Sequence, residues 1–116
     1  MKSKNFIIPA CLVTTREEFI KHVEFARSVG NSLHVDLIDP NFVQGQSLPV
    51  TDWPIIDIEY SEAHLMVDDP ISHLSKIKSR GITRAIVHVE SHFDLDELVT
   101  EARVCDIILG FTVNPE

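Results

Sequence analysis

Two aliphatic runs of this sequence contain polar side chains of the kind that hold metal ions or move protons. His34 and Asp36 stand two residues apart in the run at 33–39, and His64 lies in a second run at 63–67. Residues two apart on a strand point to the same side, so His34 and Asp36 should share one face of a strand whose other face is aliphatic. Burying such a pair is unfavourable unless a metal ion, a bound substrate or a hydrogen bond within the pair stabilises it. The pair alone leaves these three explanations open.

The charge distribution favours a cation as the bound species. The chain has a formal net charge of −8 at pH 7. Between Ser28 and Ser75 it has no Lys or Arg, yet the same stretch carries these acidic residues: Asp36, Asp39, Asp52, Asp57, Glu59, Glu62, Asp68 and Asp69. A surface for nucleic acid or an anionic membrane would need clustered Lys and Arg, and no apolar run approaches the roughly 20 residues that span a bilayer. We therefore expect neither nucleic acid nor a membrane as a partner.

Size and cysteine content predict one cytoplasmic domain. The chain has 116 residues, of which 44% are hydrophobic, which suffices for a single domain over residues 1–116 with a real core. Cys11 and Cys105 lack the C-x-x-C spacing of a zinc or redox motif, so we expect reduced core thiols. The N-terminal apolar run contains Pro9 and is not followed by a small-residue cleavage site, which argues against secretion.

The rest of the chain alternates strand-like and helix-like segments. Strands are predicted at 5–13, 33–39, 63–67, 84–90 and 106–113. Three helices are predicted between them, with these start signals: Thr15 with Glu18, Asp69 with Pro70, and Asp94 with Glu97. Gly30 and Gly81 end the first two helices. The predicted inward faces are Phe19, Ile20, Val23, Ala26 and Val29, then Ile71, Leu74 and Ile77, then Leu95, Leu98, Val99 and Ala102.

The stretch at 40–60 is predicted to be a long loop. Helix breakers divide it into pieces shorter than two helical turns: Pro40, Gly45, Pro49 and Pro54. One short helix is expected near 50–53. Long ordered loops in compact domains are often functional, although a poorly formed crossover explains the pattern equally well. We expect Trp53 and Tyr60 to be packing residues rather than a platform for a ligand.

Equivalent points of successive strands recur every 22 to 30 residues, at Pro9, His34, His64, His88 and Gly110. A strand followed by a crossover helix has this length, so the pattern predicts an α/β fold of repeated βα units. Right-handed crossovers in series build either a doubly wound sheet or a barrel. On the fourth strand, His88 and Glu90 form a second inward pair, which is either functional or simply hydrogen-bonded within the interior.

The motifs themselves resemble those of ribulose-phosphate 3-epimerases and their relatives acting on other ketose phosphates. The resemblance runs through nearly the whole chain in order: I-P-A-C-L at 8–12, H-V-D-L-I-D at 34–39, H-L-M-V at 64–67, H-V-E at 88–90, and Gly110 followed by N-P at 114–115. It implies the TIM-barrel type of fold, (β/α)8, of which these residues would form the N-terminal βα units, a partial barrel.

The resemblance also implies a reaction and a set of site residues. Such enzymes invert C3 of a ketose phosphate, such as ribulose 5-phosphate, through an enediolate that a divalent ion (Zn, Fe or Mn) stabilises. His34, Asp36 and His64 would be metal ligands, and Asp36 would also be one of two acid/base groups. His34, His64 and Met66 would contact the substrate. Imidazole and carboxylate ligands suit such an ion acting as a Lewis acid.

Three positions depart from the family pattern, which usually has serine, methionine and glycine where this chain has Ala10, Ile38 and Pro40. A complete barrel needs at least about 200 residues, so the family's second catalytic aspartate and its phosphate-binding loops are expected to lie outside these residues. A partial barrel also has open edges, so we expect a homo-oligomer. The alternative function is a non-catalytic module of the same fold that binds a sugar phosphate or a metal.

Overall fold

The computed structural model describes residues 7–115 and shows an α/β fold built on a five-stranded parallel sheet. In chain order the elements are β1 (Ala10–Cys11), α1 (Arg16–Val29), β2 (Ser32–Ile38), a 3₁₀ helix (Val50–Asp52), β3 (Tyr60–Met66), α2 (Ile71–Ser79), β4 (Arg84–His88), α3 (Leu95–Val104) and β5 (Ile108–Thr112). The strands lie side by side in sequential order, whereas a doubly wound sheet reverses its direction at a switch point. The α/β prediction is confirmed, and the sheet is that of a partial TIM barrel.

The hydrophobic core lies between one face of the sheet and the helices. On β2 the side chains of Leu33, Val35 and Leu37 are buried, while His34 and Asp36 alternate with them and are half-buried on the opposite face. This confirms the predicted alternation. The largest fully buried side chains of the core are Trp53, Phe19, Leu33, Leu65, Leu74, Ile77, Ile82 and Leu98. The polar groups of the strands therefore project from the inner face of the sheet, the face turned away from the helices.

Helix α1 begins as predicted but buries a narrower face. The Thr15 hydroxyl accepts a hydrogen bond from the Glu18 backbone N–H at 3.2 Å. Phe19, Val23 and Ala26 are buried against the sheet. The prediction that Ile20 and Val29 also face inward is wrong, since they are 39% and 36% exposed. At 100° per residue, these two side chains lie roughly 80 to 100° around the helix axis from the centre of the buried face. They therefore point too far sideways to pack against the sheet.

The starts of the two later helices differ. Asp94 caps α3 by accepting from the Glu97 backbone N–H at 3.0 Å, as predicted. The prediction that Asp69 caps α2 is wrong, because Pro70 occupies the cap position and its backbone is already helical. In α3 the predicted inward residue Leu95 is 56% exposed.

No helix within residues 7–115 combines the length and apolar character needed to cross a bilayer.

Several strand boundaries differ from the predicted ones, and β3 begins at Tyr60 instead of position 63. β1 has two residues, Ala10 and Cys11, where a strand at 5–13 was predicted; positions 5 and 6 lie outside the described residues. The apolar run that predicted this strand indicates burial, which does not require pairing with a neighbouring strand. β1 lies at the edge of the sheet, where it pairs with β2 on one side. β4 ends at His88 instead of position 90. Glu90 therefore lies in the turn after the strand.

The long loop at 40–59 contains the predicted short helix and a core tryptophan. Trp53 is 1% exposed, its indole N–H donates to the Leu48 carbonyl oxygen at 2.8 Å, and its ring packs 5.3 Å from the Phe19 ring. Its predicted packing role is confirmed. Tyr60, at the start of β3, is half-buried and lies under the Arg84 guanidinium, 4.4 Å from the ring centroid.

Both cysteines are free thiols. Cys11 is buried in the core, and burial raises the pKa of its thiol to about 12. Cys105 is half-buried and packs against the core, and burial raises the pKa of that thiol as well. Neither thiol is therefore an activated nucleophile, since the thiolate is the reactive form.

Gly81, which follows α2, is required by its surroundings. Its φ is +101°, and a Cβ added there would lie 2.2 Å from the Ile56 carbonyl oxygen. We expect Gly81→Ala to lower the free energy of unfolding by about 2 kcal/mol or more, measured by urea denaturation. Gly110→Ala is the matched control, because a Cβ there meets its nearest atom at 3.9 Å. Equal effects of the two substitutions would contradict the argument.

Candidate metal centre

Pairing between β2 and β3 brings the polar side chains of the inner face together. In the parallel register His34 lies opposite Glu62, and Asp36 lies opposite His64. The side chains of His34, Asp36 and His64 are 22%, 18% and 24% exposed, respectively. They are thus shielded enough to interact strongly with one another and open enough for an ion or a small molecule to reach them.

The three residues predicted as metal ligands converge. His34 Nε2 is 2.9 Å from Asp36 Oδ1, and His64 Nδ1 is 3.1 Å from the same oxygen. One ligand atom from each side chain lies within 4.8 Å of the other two, and among residues 7–115 no other such group of three was found. Two imidazole nitrogens and a carboxylate oxygen are donors that suit a divalent transition metal. The residues present therefore fit the metal that the sequence suggested.

Glu62 is a site residue that the sequence analysis did not single out. Its Oε2 lies 2.5 Å from His34 Nδ1, and its Oε1 accepts a hydrogen bond from the Tyr60 hydroxyl at 2.9 Å. The available signal was simple: Glu62 stands two residues before His64, so strand periodicity places both side chains on the same face. Glu62 and Asp36 therefore flank the His34 ring, with one carboxylate at each ring nitrogen.

His88 extends the cluster in the other direction. Its Nε2 lies 2.7 Å from His64 Nε2, and the two rings stack with centroids 4.9 Å apart. Its Nδ1 is buried and lies 3.9 Å from a Glu90 oxygen, which is beyond hydrogen-bond distance. The interpretation of His88 and Glu90 as a hydrogen-bonded pair is therefore wrong, because β4 has ended before Glu90. Glu90 accepts instead from the Asn114 backbone N–H at 3.1 Å.

The hydrogen bonds of the cluster determine its charge states. The hydrogen bond with Asp36, aided by Glu62, outweighs burial and raises the pKa of His34 to about 9. Burial alone would raise the pKa of Asp36, but hydrogen bonds with His34 and His64 hold that pKa below its usual range. Burial and the neighbouring His64 lower the pKa of His88. At neutral pH, in the metal-free chain, Asp36 is therefore ionised and His34 is protonated, so an ion that binds His34 would displace one of its protons.

The predicted substrate contact and the departures from the family pattern lie along the same strands. Met66 ends β3 on the face of His64, is half-buried, and lies opposite Ile38 in the register. Ala10 lies opposite His34. Where a serine would offer a hydroxyl beside His34, this chain offers a methyl group. Pro40 lies just past β2, at the exposed start of the long loop.

Sequential parallel βα units, with a His-Asp-His group on the face away from the helices, define part of an α/β barrel with a candidate metal centre. The sequence model of the ribulose-phosphate 3 epimerase family matches residues 6–116. The chain belongs to this family.

A curated relative supports this assignment. Ribulose-phosphate 3-epimerase of Chlamydia pneumoniae is 26% identical to this chain over 88 residues. The match covers 72% of this chain and 38% of the relative. The chain therefore spans well under half the length of that protein.

Proposed function

We propose that this chain supplies the metal-binding part of an isomerase that inverts C3 of a ketose phosphate of the ribulose 5-phosphate and xylulose 5-phosphate type. Residues 1–116 would act as one domain of that enzyme. Family membership supports the epimerase class. The convergence of His34, Asp36 and His64 on the inner face is the observation that carries the proposal.

The three ligand side chains would hold Zn²⁺, Fe²⁺ or Mn²⁺. A bound divalent ion would supply Lewis-acid stabilisation of negative charge on the substrate oxygens. The hydrogen bonds that His34 and His64 make with Asp36 both go to Oδ1. Oδ2 of Asp36, which neither of these hydrogen bonds engages, would take the C3 proton.

Substrate would lie against the same face. His34, His64 and Met66 would contact the sugar, because their side chains share the inner face with Asp36. The stretch from Ser28 to Ser75, which carries all of these residues, has no Lys or Arg. The phosphate group would therefore be held by other elements of the complete barrel, as the family resemblance implies.

Proton exchange tests this proposal directly. Ribulose 5-phosphate is incubated in deuterated buffer with the chain and Mn²⁺, and loss of the C3 proton signal is followed by NMR. We expect exchange above the rate with Mn²⁺ alone. A chain that binds the ion but gives no such exchange would favour the non-catalytic module of the same fold.

The cysteines favour a cytoplasmic location for the protein, because free thiols persist in a reducing compartment. Cys11 and Cys105 are both unpaired, and neither forms part of the candidate centre.

Self-association is expected from the two edges of the sheet. β1 and β5 are the outer strands, and the large side chains Ile108, Phe111 and Val113 in or beside β5 are 58%, 46% and 64% exposed. Unpaired edge strands with apolar side chains favour pairing with another chain. We expect dimers or larger species in light scattering at high protein concentration.

A charge on the edge strand should reduce this association. Ile108→Lys should shift the distribution towards monomer. Ile55→Lys is the matched control, because Ile55 is 63% exposed in the loop before β3, away from both edges. A wild-type monomer at high concentration that binds no apolar dye would contradict the expectation.

A further inference from the structure

The side chain of Glu62 lies between the candidate metal centre and Tyr60, and it is hydrogen-bonded on both sides. Its side chain is 14% exposed, less than the side chains of His34 and Asp36. One carboxylate oxygen lies 2.5 Å from His34 Nδ1, and the other accepts from the Tyr60 hydroxyl at 2.9 Å. Both oxygens of a nearly buried carboxylate are thus held in place.

A residue of the neighbouring strand packs against Tyr60, the second hydrogen-bond partner of Glu62. Arg84 of β4 lies opposite Glu62 in the parallel register, and its guanidinium stacks on the Tyr60 ring. Glu62 therefore has His34 at one carboxylate oxygen and the hydroxyl of Tyr60 at the other. Such partners compensate a carboxylate for the hydration that it loses on burial. Glu62 is therefore stably held on the inner face of the sheet.

The consequence for His34 follows from the chemistry of imidazole. A neutral imidazole carries one proton, and the nitrogen without that proton is the one that binds a metal. His34 Nε2 faces Asp36 and the ligand group, whereas Nδ1 faces Glu62. Asp36 faces Nε2 at 2.9 Å, but the contact of Glu62 with Nδ1 is shorter, at 2.5 Å. When the ring carries a single proton, the shorter contact therefore keeps that proton on Nδ1, which leaves the Nε2 lone pair for an ion.

We propose that Glu62 is a positioning residue: it accepts the Nδ1–H of His34 and thereby directs Nε2 of that ring towards the metal. The proposal rests on the metal-binding part of the proposed function. His64 provides an internal contrast, because its second nitrogen faces His88 instead of a carboxylate. Loss of Glu62 should therefore alter His34 and leave the His64 ring nitrogens unchanged.

Two variants of Glu62 distinguish the effect of its hydrogen-bond acceptor from the effect of its negative charge. Glu62→Met removes the acceptor at similar side-chain length, whereas Glu62→Gln removes the charge but keeps an oxygen that can accept the Nδ1–H. Glu59→Met is the matched control, because Glu59 is an exposed acidic residue just before β3. Circular dichroism and the urea midpoint establish that each variant is folded.

Calorimetric titration with Zn²⁺ provides the first readout. Partners of a metal-bound histidine typically contribute 10- to 100-fold in affinity. We expect Glu62→Met to weaken Zn²⁺ binding by about 10- to 100-fold and Glu62→Gln by less than about tenfold, with Glu59→Met equal to wild type. Wild-type affinity in a folded Glu62→Met chain would overturn the proposal.

The ¹⁵N spectrum of the histidine rings provides a second readout that needs no bound metal. It is recorded on the metal-free chain at about pH 10, above the pKa of about 9 of His34. We expect the proton on Nδ1 of His34 in wild type and on Nε2 in Glu62→Met. A wild-type His34 protonated on Nε2 would overturn the proposal, even if the Met variant does not fold.

The two readouts distinguish failure of the proposal from failure of the proposed function. If wild type binds no Zn²⁺, the metal site is wrong, and the metal-free spectra alone decide whether Glu62 orients His34. If wild type binds Zn²⁺ and the His34 tautomer is the same in all folded variants, the metal site stands and the role of Glu62 is wrong.

Discussion

His64→Ala should remove most of the Zn²⁺ or Mn²⁺ binding of this chain. His64 Nδ1 is one of three ligand atoms within 4.8 Å of one another, so its loss leaves two protein ligands. Because even the partners of a metal-bound histidine contribute 10- to 100-fold, loss of a ligand itself should weaken binding by about 100-fold or more. Isothermal titration calorimetry measures the change.

Further variants make this test specific. His34→Ala and Asp36→Asn should weaken binding comparably, since each removes one member of the same group. His92→Ala should bind like wild type, because the His92 side chain is 86% exposed and lies outside the group. With water filling the remaining positions, wild type should bind more weakly than a four-ligand site. Equal affinities of wild type and all three ligand variants would refute the centre.

Residues 1–116 alone should exchange the C3 proton of ribulose 5-phosphate slowly without producing xylulose 5-phosphate. Inversion at carbon needs a proton donor on the face opposite the acceptor. The carboxylates hydrogen-bonded to His34 are Asp36 and Glu62, which project from the same face of the sheet, and Glu62 is also engaged by Tyr60. Exchange requires one such group, whereas inversion requires two.

Asp36→Asn should reduce the exchange by about 100-fold or more, since acid/base groups contribute 10²- to 10⁴-fold. Its effect is measured at a Mn²⁺ concentration that saturates the variant, so that weaker metal binding does not account for the loss. Its urea midpoint should stay near that of wild type. Deuterium incorporation and xylulose 5-phosphate formation are followed in the same sample by NMR and a coupled assay.

Supplying the remaining strands of the barrel should restore inversion. The part of the Chlamydia pneumoniae relative that its match to this chain does not cover is a suitable partner, added as a separate chain or as a fusion. We expect product formation with this partner, and loss of that product in Asp36→Asn. Full epimerisation by residues 1–116 alone, retained after further purification and lost in Asp36→Asn, would show that the second acid/base group is already present.

Local patterns in the sequence were sufficient for the elements and for the face of each strand. Alternation along 33–37 predicted that His34 and Asp36 face away from the core, and the structure confirms this. The caps at Thr15 and Asp94 were equally readable. These features depend on neighbours within four residues, where backbone geometry alone sets the direction of a side chain.

Features that depend on packing against the sheet were less readable. The helical repeat in α1 predicted an inward face that includes Ile20 and Val29, yet both are exposed. Periodicity gives the direction of an apolar face, whereas its width depends on how closely the sheet approaches the helix. The length of β1 was also not readable from the sequence. An apolar run indicates which residues are buried, but it does not indicate which of them pair with a neighbouring strand.

Only the tertiary structure decided the composition of the centre. The sequence predicted His34, Asp36 and His64 through a family resemblance, but Glu62 and His88 became partners through strand register. The hydrogen bond between Glu62 and His34 joins residues 28 apart, and the contact between His64 and His88 joins residues 24 apart. Register is set by the packing of whole strands, and a shift of one residue would turn every side chain of a strand to the other face. No local pattern carries that information, so the neighbours of each ring nitrogen could be known only from the folded chain.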